Sequence, residues 1–403
     1  MTKLKELIKE LCPNGVPQKR LDEICHILDN KRKPITKSAR EFGIYPYYGA
    51  NGIQDYVSDY IFDGTYILIG EDGSVITASG NPVVNWVTGK VWVNNHAHIL
   101  GEKEGVLLRY LFHYIQTIDI SSLVHGNIPK LTGGDLRALQ IPVPPIPVQE
   151  EIVRILDSFT ELTAELTAEL AARKKQYEYY RNALLNNHTL QSNLCSISEL
   201  GKWSGGKTPS MERKEFWTNG TIPWISSKDM KEPTLSDTED HISEQAVSEA
   251  SMTIYPKHCI AIVTRSGILK HTLPVSYVPF ATTVNQDIKV LVPNERVLPR
   301  FAYHLLQTYS DDIRAKTKKQ GGTVDSLDFQ AVLSYKVPVP PKDVQERLIQ
   351  VLDNFDSICS DLKIGLPAEI EARKKQYEFY RDKLLSFKEA QTYEQKKEIS
   401  KTE

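Results

Sequence analysis

The chain lacks several features that would assign it to a class at once. It has 49 Lys and Arg against 51 Asp and Glu, a formal net charge of −2, which excludes both a uniformly basic histone-like protein and a strongly acidic chain. Its five cysteines are scattered without a C-x-x-C pair, so neither a disulfide framework nor a structural zinc site is predicted. No apolar run approaches membrane-spanning length, and charges interrupt the KLKELIKEL segment after Thr2, so no signal peptide is expected. We therefore expect a cytoplasmic protein without a membrane partner.

Composition excludes two further classes. Glycine and proline number 22 each and 40% of the residues are hydrophobic, which rules out collagen-like and wholly disordered chains. A length of 403 residues predicts two or three domains.

The main positive feature is an internal repeat. IPVPPIPVQEEIVRILDSF (141–159) returns as VPVPPKDVQERLIQVLDNF (337–355), with 10 of 19 positions identical. ARKKQYEYYRNALL (172–185) returns as ARKKQYEFYRDKLL (372–385), with 11 of 14 identical. The segments before each repeat share little, so variable and constant regions alternate twice.

Each constant region predicts a long helix, because its prolines are followed by helical periodicity. Apolar residues recur at threes and fours, as in a coiled-coil seam, although one such stripe is also typical of a helix that packs on its own domain. Two near-identical stripes favour antiparallel partner helices related by a pseudo-twofold axis. Gly365 and Pro367 predict a kink or a restart in the second helix. The stripe residues are Ile152, Leu156, Phe159, Leu162, Leu166 and Leu170, then Leu348, Leu352, Phe355, Cys359 and Leu362. The pattern resumes at Tyr177, Tyr180 and Leu184 in the first copy, and at Tyr377, Tyr380 and Leu384 in the second.

Both variable segments have an α+β pattern. Short segments rich in β-branched and aromatic residues, such as YVSDYIF, TYILIG, VVNWVTG, KVWVNN, IPWISS, CIAIVTR and DIKVLVP, predict strands. Helices are expected over 4–11, from Gly105, and around 301–316.

Polar and basic side chains cluster in glycine-containing turns. Each turn has an ordinary reading as a solvated loop, and the basic run near residue 316 also as a helix end satisfying its own dipole. Basic and amide groups are nevertheless what contacts to base edges and phosphates require. The clearest phosphate candidates are the basic residues of 314–319, which precede Gly321 and Gly322. The candidate DNA-contacting residues are Tyr47, Tyr48, Asn51, Asp72, Asn94, Asn95, His96, His125, Asn127, Lys130, Lys207, Ser226, Lys228, Arg265, Ser266, Arg314, Lys316, Lys318 and Lys319.

Enzyme motifs are few and weak. Residues 201–208 match the phosphate-loop pattern G-x-x-x-x-G-K-[ST], but Pro209 follows at once and the next segment lacks a helical apolar face, so nucleotide binding is not expected. His96 and His98 have a spacing compatible with a metal but no evident third ligand. No methyltransferase motif or nuclease cluster is apparent, and we predict no catalytic residue and no resident metal or cofactor.

Two variable segments, each closed by PVPP-x-x-VQE, an ILDSF or VLDNF helix and an ARKKQYE block, resemble the specificity subunit of type I restriction-modification enzymes. The resemblance implies an α+β fold: two mixed target-recognition domains separated by two long antiparallel coiled-coil helices in a pseudo-twofold repeat. Each recognition domain would read one half of a bipartite site in double-stranded DNA. The boundaries predicted are 1–146 and 188–342 for the recognition domains, 147–187 and 343–388 for the spacer helices, and 389–403 for a polar tail.

The same resemblance implies the partners. Two modification subunits would bind S-adenosylmethionine and methylate adenine, and two restriction subunits would use ATP and magnesium. The chain itself would be a non-catalytic subunit. Two rivals stay open: a coiled-coil scaffold whose variable domains bind proteins or other ligands, and an ATPase that uses residues 201–208.

One difference between the copies predicts a helical segment that sets the distance between the half-sites. TAEL occurs twice, at 163–166 and 167–170, in the first copy only. One further unit would add about 6 Å and about 40° net of helical rotation, and this rotation is close to the turn of about 34–36° that one base pair gives DNA. We hypothesise that the number of TAEL units sets the spacer between the half-sites.

Overall fold

The computed structural model describes residues 2–185, 194–319, 324–360 and 365–390. The chain forms two compact units. Unit 1 combines Met1–Thr167 with Glu369–Glu403, and unit 2 is Ala168–Ala368. Each unit therefore contains one variable segment and parts of both constant regions.

Up to residue 185 the elements alternate between short strands and helices before one long helix. They are α1 (Thr2–Leu11), β1 (Gln18–Arg20), α2 (Leu21–Ile24), β2 (His26–Ile27), β3 (Phe42–Gly49), β4 (Gly52–Val57), β5 (Phe62–Gly70), β6 (Val84–Val93), β7 (Ala97–Gly101), α3 (Leu108–Ile115), α4 (Gly133–Ala138), β8 (Gln140–Pro142) and α5 (Ile146–Leu185).

The remaining elements are again short strands and helices, and the last two are longer helices. They are β9 (Leu194–Ser196), β10 (Gly201–Gly205), β11 (Ile222–Ile225), β12 (Asp240–Ile242), α6 (Glu244–Glu249), β13 (Cys259–Val263), β14 (Val275–Val278), β15 (Thr283–Val284), β16 (Ile288–Pro293), α7 (Pro299–Thr317), α8 (Phe329–Ser334), β17 (Lys336–Pro338), α9 (Lys342–Ser360) and α10 (Leu366–Leu384).

Unit 1 is built on a six-stranded sheet in the order β2-β7-β5-β6-β3-β4. Its pairs are antiparallel except β3 with β6, which is parallel. A separate ribbon joins β1 to β8, just before α5. One face of the sheet packs against α3 and the start of α5 through a core that includes Ile67, Leu111 and Ile152. The α+β fold expected from the alternating strand and helix patterns is confirmed.

Unit 2 repeats this plan. Its four-stranded sheet has the order β10-β16-β13-β14, and a three-stranded sheet has the order β12-β11-β15. A ribbon of β9 and β17 precedes α9, as the β1–β8 ribbon precedes α5. The succession β10-β16-β13-β14 corresponds to β2-β7-β5-β6 in unit 1, so the two variable segments share a topology although their sequences do not reveal it.

The strands differ from expectation in two places. VVNWVTG and KVWVNN form one strand, β6, which continues through Gly89 at φ +84° because a residue without a Cβ tolerates that conformation. YVSDYIF is divided between β4 and β5, where the Asp59 side chain accepts a hydrogen bond from the Tyr60 amide in a turn. The helices predicted over 4–11, from Gly105 and around 301–316 are confirmed as α1, α3 and α7.

The constant regions form the predicted helices. Pro147 lies in the first turn of α5, where a missing N–H costs nothing, and the helix runs unbroken for 40 residues. The second copy is described as α9 and α10, with α10 beginning at Leu366 directly after Gly365. Leu362 of the predicted seam lies outside the described residues.

Aromatic stacking joins the helices within each unit. In unit 1, Phe159 of α5 stacks on Tyr380 of α10, with ring centroids 5.3 Å apart. In unit 2, Tyr180 of α5 stacks on Phe355 of α9 at 5.6 Å. These are the same two repeat positions, so the repeated stripes pair with each other as predicted. No helix in the described part of the chain is long and apolar enough to cross a membrane.

Candidate nucleic-acid interface

Three of the predicted loops of unit 1 meet where β5 ends. The Glu71 amide donates to the carbonyl of His96 at 2.9 Å, and Asp72 forms a β-bridge with Lys130. His125 also bridges to Lys130. Nδ1 of His96 lies 2.5 Å from Oδ1 of Asp72. The fold thus gathers four sequence-predicted residues, from three separate loops, on one surface.

A charged network lies beneath that surface. Oδ2 of Asp29 is 2.7 Å from Nδ1 of the buried His98, whose Nε2 is 3.0 Å from the carbonyl of Leu131. Both ring nitrogens of His98 therefore face hydrogen-bond acceptors. Burial would raise the pKa of Asp29, but hydrogen bonding and charge from His98, with Arg32 nearby, lower it.

The same network contains side chains of the kinds that bind metal ions. Asp29, Glu71 and His98 place possible ligand atoms within 4.8 Å of one another, so the structure supplies carboxylates that the sequence did not pair with His98. Arg32 donates to Glu71 at 2.6 Å and lies 3.6 Å from Asp29. Because the Arg32 guanidinium already pairs with both carboxylates and His98 is bonded to Asp29, the arrangement serves as an ion-pair network that braces the loops.

Unit 2 forms a corresponding loop cluster. The Thr264 amide donates to the carbonyl of Asp287 at 2.8 Å, and Arg265 bridges to Ser326. The Ser266 amide donates to the carbonyl of Asp325, while Lys318 forms an ion pair with the Asp325 carboxylate at 3.1 Å. Lys319 donates its amide to Ser326, so the end of the basic run joins this surface.

Several predicted residues have structural partners that occupy their polar groups. Tyr47 is 1% exposed and bonds to the backbone of Ile35 at 3.1 Å and 3.3 Å, so it packs inside the sheet. Asn94 is 2% exposed and accepts from the His96 amide at 2.8 Å, which fixes the turn. Both side chains were predicted to contact DNA, but their burial leaves neither with a free surface for such a contact.

The remaining candidates divide between occupied and exposed side chains. Arg314 donates to the carbonyl of Lys270, and Lys316 pairs with Asp312, so the first half of the basic run braces α7. Others are engaged locally or lie in exposed turns. Ser226 is buried and donates to Asp229, Lys228 pairs with Asp240, Lys207 donates to the carbonyl of Ala250, Tyr48 is partly buried in the sheet, and Asn51, Asn95 and Asn127 are exposed. Gly321 and Gly322 lie outside the described residues.

The phosphate-loop match does not fold as a nucleotide site. Residues 201–205 form β10, an antiparallel strand, and residues 206–213 after it are not helical. A Cβ on Gly206 would lie 1.7 Å from the carbonyl oxygen of Val284, so this glycine serves a close strand approach. The sequence-level rejection of an ATPase is supported by this geometry.

One buried network was missed from the sequence. In unit 1, Nε2 of His113 donates to Asp157 at 2.8 Å, while Nδ1 accepts from the hydroxyl of Tyr377 at 2.9 Å. Arg109 donates to the same aspartate at 2.8 Å. Burial lowers the pKa of His113, which matches a neutral ring with one donor and one acceptor.

Unit 2 carries the equivalent network. His304 donates to Asp353 at 2.6 Å and accepts from Tyr177, and Arg300 donates to Asp353. The signal was present as R-x-x-x-H in both variable segments and as the aspartate of the repeated ILD and VLD motifs. These networks anchor α3 and α7 to the repeated helices, so each sheet has a fixed attachment.

Comparison with known proteins agrees with this architecture. The family model for the type I restriction modification DNA specificity domain matches residues 13–187 and again 191–372. The specificity subunit of the Escherichia coli type I restriction enzyme EcoR124I/EcoR124II is 43% identical over 293 residues, which cover 71% of this chain and 72% of that protein. A putative type I specificity subunit from Haemophilus influenzae is 35% identical over 395 residues, covering 94% and 98%.

A solved structure shares the fold. The S subunit of a type I restriction-modification system from M. genitalium superposes with a TM-score of 0.56 at 17% identity, covering 92% of this chain and 96% of that one. The family model covers most of the chain in two copies, and each copy contains one of the two loop clusters. The chain therefore belongs to the type I restriction-modification DNA specificity family.

Proposed function

We propose that the chain reads a bipartite site in double-stranded DNA, with the loop cluster of unit 1 on one half-site and that of unit 2 on the other. The observation that carries this proposal is the gathering of separate polar loops at the same place on two sheets of shared topology. Side chains at the ends of strands, held by backbone bridges, can enter a groove while the sheet behind them stays rigid. The exposed members are His96, His125, Lys130, Arg265 and Lys319.

The chain would act without chemistry of its own. We propose that methylation and cleavage belong to two modification and two restriction subunits, which would carry S-adenosylmethionine, ATP and magnesium, and that the complex works in the cytoplasm. The names of the relatives support this, since they are specificity subunits of restriction enzymes.

Repeated exposed aromatics support docking of two copies of one partner. Tyr179 in unit 2 is 69% exposed, and Phe379, 200 residues later in unit 1, is 61% exposed. Each contacts the neighbouring stacked ring, Tyr180 or Tyr380, edge to face at about 5.5 Å. An exposed aromatic on a rigid helix is a common anchor at protein interfaces, and two equivalent anchors fit two identical subunits.

Two experiments test these proposals. Methylated sites are mapped in cells that produce the full chain with a modification subunit, and the proposal expects one discrete bipartite motif. Purified complex should also shift DNA that carries this motif at a lower concentration than random DNA. A chain that recruits the subunit yet gives neither result would instead be a protein-binding scaffold.

Docking is tested separately by stoichiometry. Tyr179→Ala or Phe379→Ala should lower the number of bound modification subunits from two to one, and the double variant should bind neither. Phe42→Ala is the matched control, because this side chain is 89% exposed but lies on β3. Retention of two subunits by the double variant would refute the docking surface.

A further inference from the structure

The two loop clusters are equivalent in backbone geometry. In each cluster, the first residue after the third strand of the sheet, Glu71 after β5 or Thr264 after β13, donates its amide N–H to a carbonyl in a second loop. The carbonyl of the same residue accepts a hydrogen bond from a third segment. The Glu71 amide donates to the His96 carbonyl, as the Thr264 amide donates to the Asp287 carbonyl. The Leu131 amide donates to the Glu71 carbonyl, as the Leu327 amide donates to the Thr264 carbonyl. Oδ1 of Asn94 accepts from the His96 amide, as Oδ1 of Asn285 accepts from the Asp287 amide. The β-bridge of Asp72 with Lys130 likewise matches that of Arg265 with Ser326. Asp72 therefore corresponds to Arg265, and His96 to Asp287.

At these matched positions each unit pairs a carboxylate with a basic side chain, and the two partners are exchanged between the loops. In unit 1 the loop after β5 supplies the acid, Asp72, and the loop before β7 supplies the base, His96. In unit 2 the loop after β13 supplies the base, Arg265, and the loop before β16 supplies the acid, Asp287, with Nε 2.8 Å from Oδ1. The shared hydrogen bonds identify these positions as equivalent.

The basic member is the outer one in both pairs. The His96 side chain is 48% exposed against 27% for Asp72, and the Arg265 side chain is 58% exposed against 22% for Asp287. An exposed side chain held by a less exposed carboxylate has a restricted orientation, and a base contact needs a fixed orientation. The Lys319 ammonium, by contrast, has no ion-pair partner among the described residues, and its charge alone suits a phosphate.

We propose that Arg265, positioned by Asp287, is a base-reading residue for guanine in the half-site of unit 2, and that His96, positioned by Asp72, is its counterpart in unit 1. This inference rests on the proposed DNA recognition. Arg265 meets Asp287 through Nε, which leaves two terminal nitrogens to donate together to O6 and N7 of guanine. His96 meets Asp72 through Nδ1 and has only Nε2 left, so it makes a single contact. The exchange of the two partners between the loops thus gives the two half-sites different readers from one scaffold.

The test is methylation-site mapping with the full chain and its modification subunit, scored base by base. Arg265→Ala should reduce discrimination for guanine at one position of one half-site by about 5- to 150-fold, the range that corresponds to one bidentate contact. Arg265→Lys keeps the positive charge but lacks the planar fork, so it should relax the same position. Asp287→Asn, which removes the positioning charge, should relax that position to a smaller extent. The other half-site should stay unchanged in all three.

Controls separate the possible failures. Arg213→Gln removes another, partly exposed arginine of unit 2 that pairs with glutamates, and it should leave every base preference unchanged. His96→Gln should alter only the other half-site. If the unaltered chain directs methylation to no discrete motif, the proposed function fails. If the motif is present but Arg265→Lys keeps full guanine discrimination at every position, or Arg265→Ala lowers methylation equally at all sites, the base-reading role is refuted.

Discussion

The buried Gln345 near the start of α9 gives the sharpest stability prediction. Its side chain is 0% exposed, its Oε1 accepts from the Leu298 amide at 2.9 Å, and its Nε2 donates to the carbonyls of Arg296 at 3.0 Å and Pro340 at 2.8 Å. Gln345→Leu has nearly the same size but leaves all three backbone groups without this partner. At about 0.5–1.5 kcal/mol for each hydrogen bond, we expect a loss of about 2–4 kcal/mol in the free energy of unfolding of unit 2.

The assay is thermal unfolding of the full chain. For a domain of about 200 residues, 1 kcal/mol lowers the Tm by about 2–4 °C, so the unit 2 transition should fall by about 4–16 °C. Gln350→Leu is the matched control, because Gln350 is exposed on the same helix. Gln149 holds the equivalent place in unit 1, bonded to Leu107, and Gln149→Leu should lower the other transition. A change below about 0.5 kcal/mol in Gln345→Leu would refute the reasoning.

Three further predictions concern pH, spacing and salt. Burial lowers the pKa of His304 below its ordinary value of 6.5, so the unfolded chain takes up a proton first as pH falls. Unit 2 should therefore lose stability between pH 7 and pH 5, and His304→Gln should flatten this dependence. Unfolding curves of His304→Gln with an unchanged pH slope would contradict the prediction. Since 163–170 lie within the unbroken α5, one added TAEL unit should lengthen the mapped spacer by one base pair, and an unchanged spacer would end the spacer hypothesis. Lys319→Ala should weaken binding to all DNA sequences and reduce the salt slope by about 0.9, whereas Lys318→Ala should do less because Lys318 already pairs with Asp325; a base-specific loss in gel shifts would instead make Lys319 a reader.

Much of the architecture could be predicted from local signals. The repeat identified the two helical segments, because seam residues such as Leu156 and Leu352 recur at helical spacing and are fully buried. The prolines before α5 and α9 marked where extended chain ends and helix begins. Glycine-containing turns with polar side chains pointed to the loops that meet at the strand ends, and Arg265 and His96 were among the residues named.

Loop composition did not separate surface residues from supporting ones. Tyr47 and Asn94 have the same polar, turn-rich setting as His96, yet they are buried, because the path of β3 beside β6 turns them inward. Arg314 and Lys316 share one basic run with Lys319, but they bind partners along and beside α7. Whether a side chain is free depends on which other segment lies next to it, and distant segments leave no local pattern.

The sequence by itself determined the family, the doubling of the chain and the positions of the long helices, since these depend on periodicity and on motifs that repeat nearly unchanged. Only the tertiary structure decided that Asp72 corresponds to Arg265 and that Asp287 has a role, and it alone joined His113 to Tyr377 across 264 positions. The loop correspondence comes from backbone hydrogen bonds between segments far apart in the chain, and the His113–Tyr377 contact is a side-chain hydrogen bond between such segments. The backbone bonds constrain the shape of the loops but not the identity of their side chains, which is why two half-site readers can differ in sequence while sharing one scaffold.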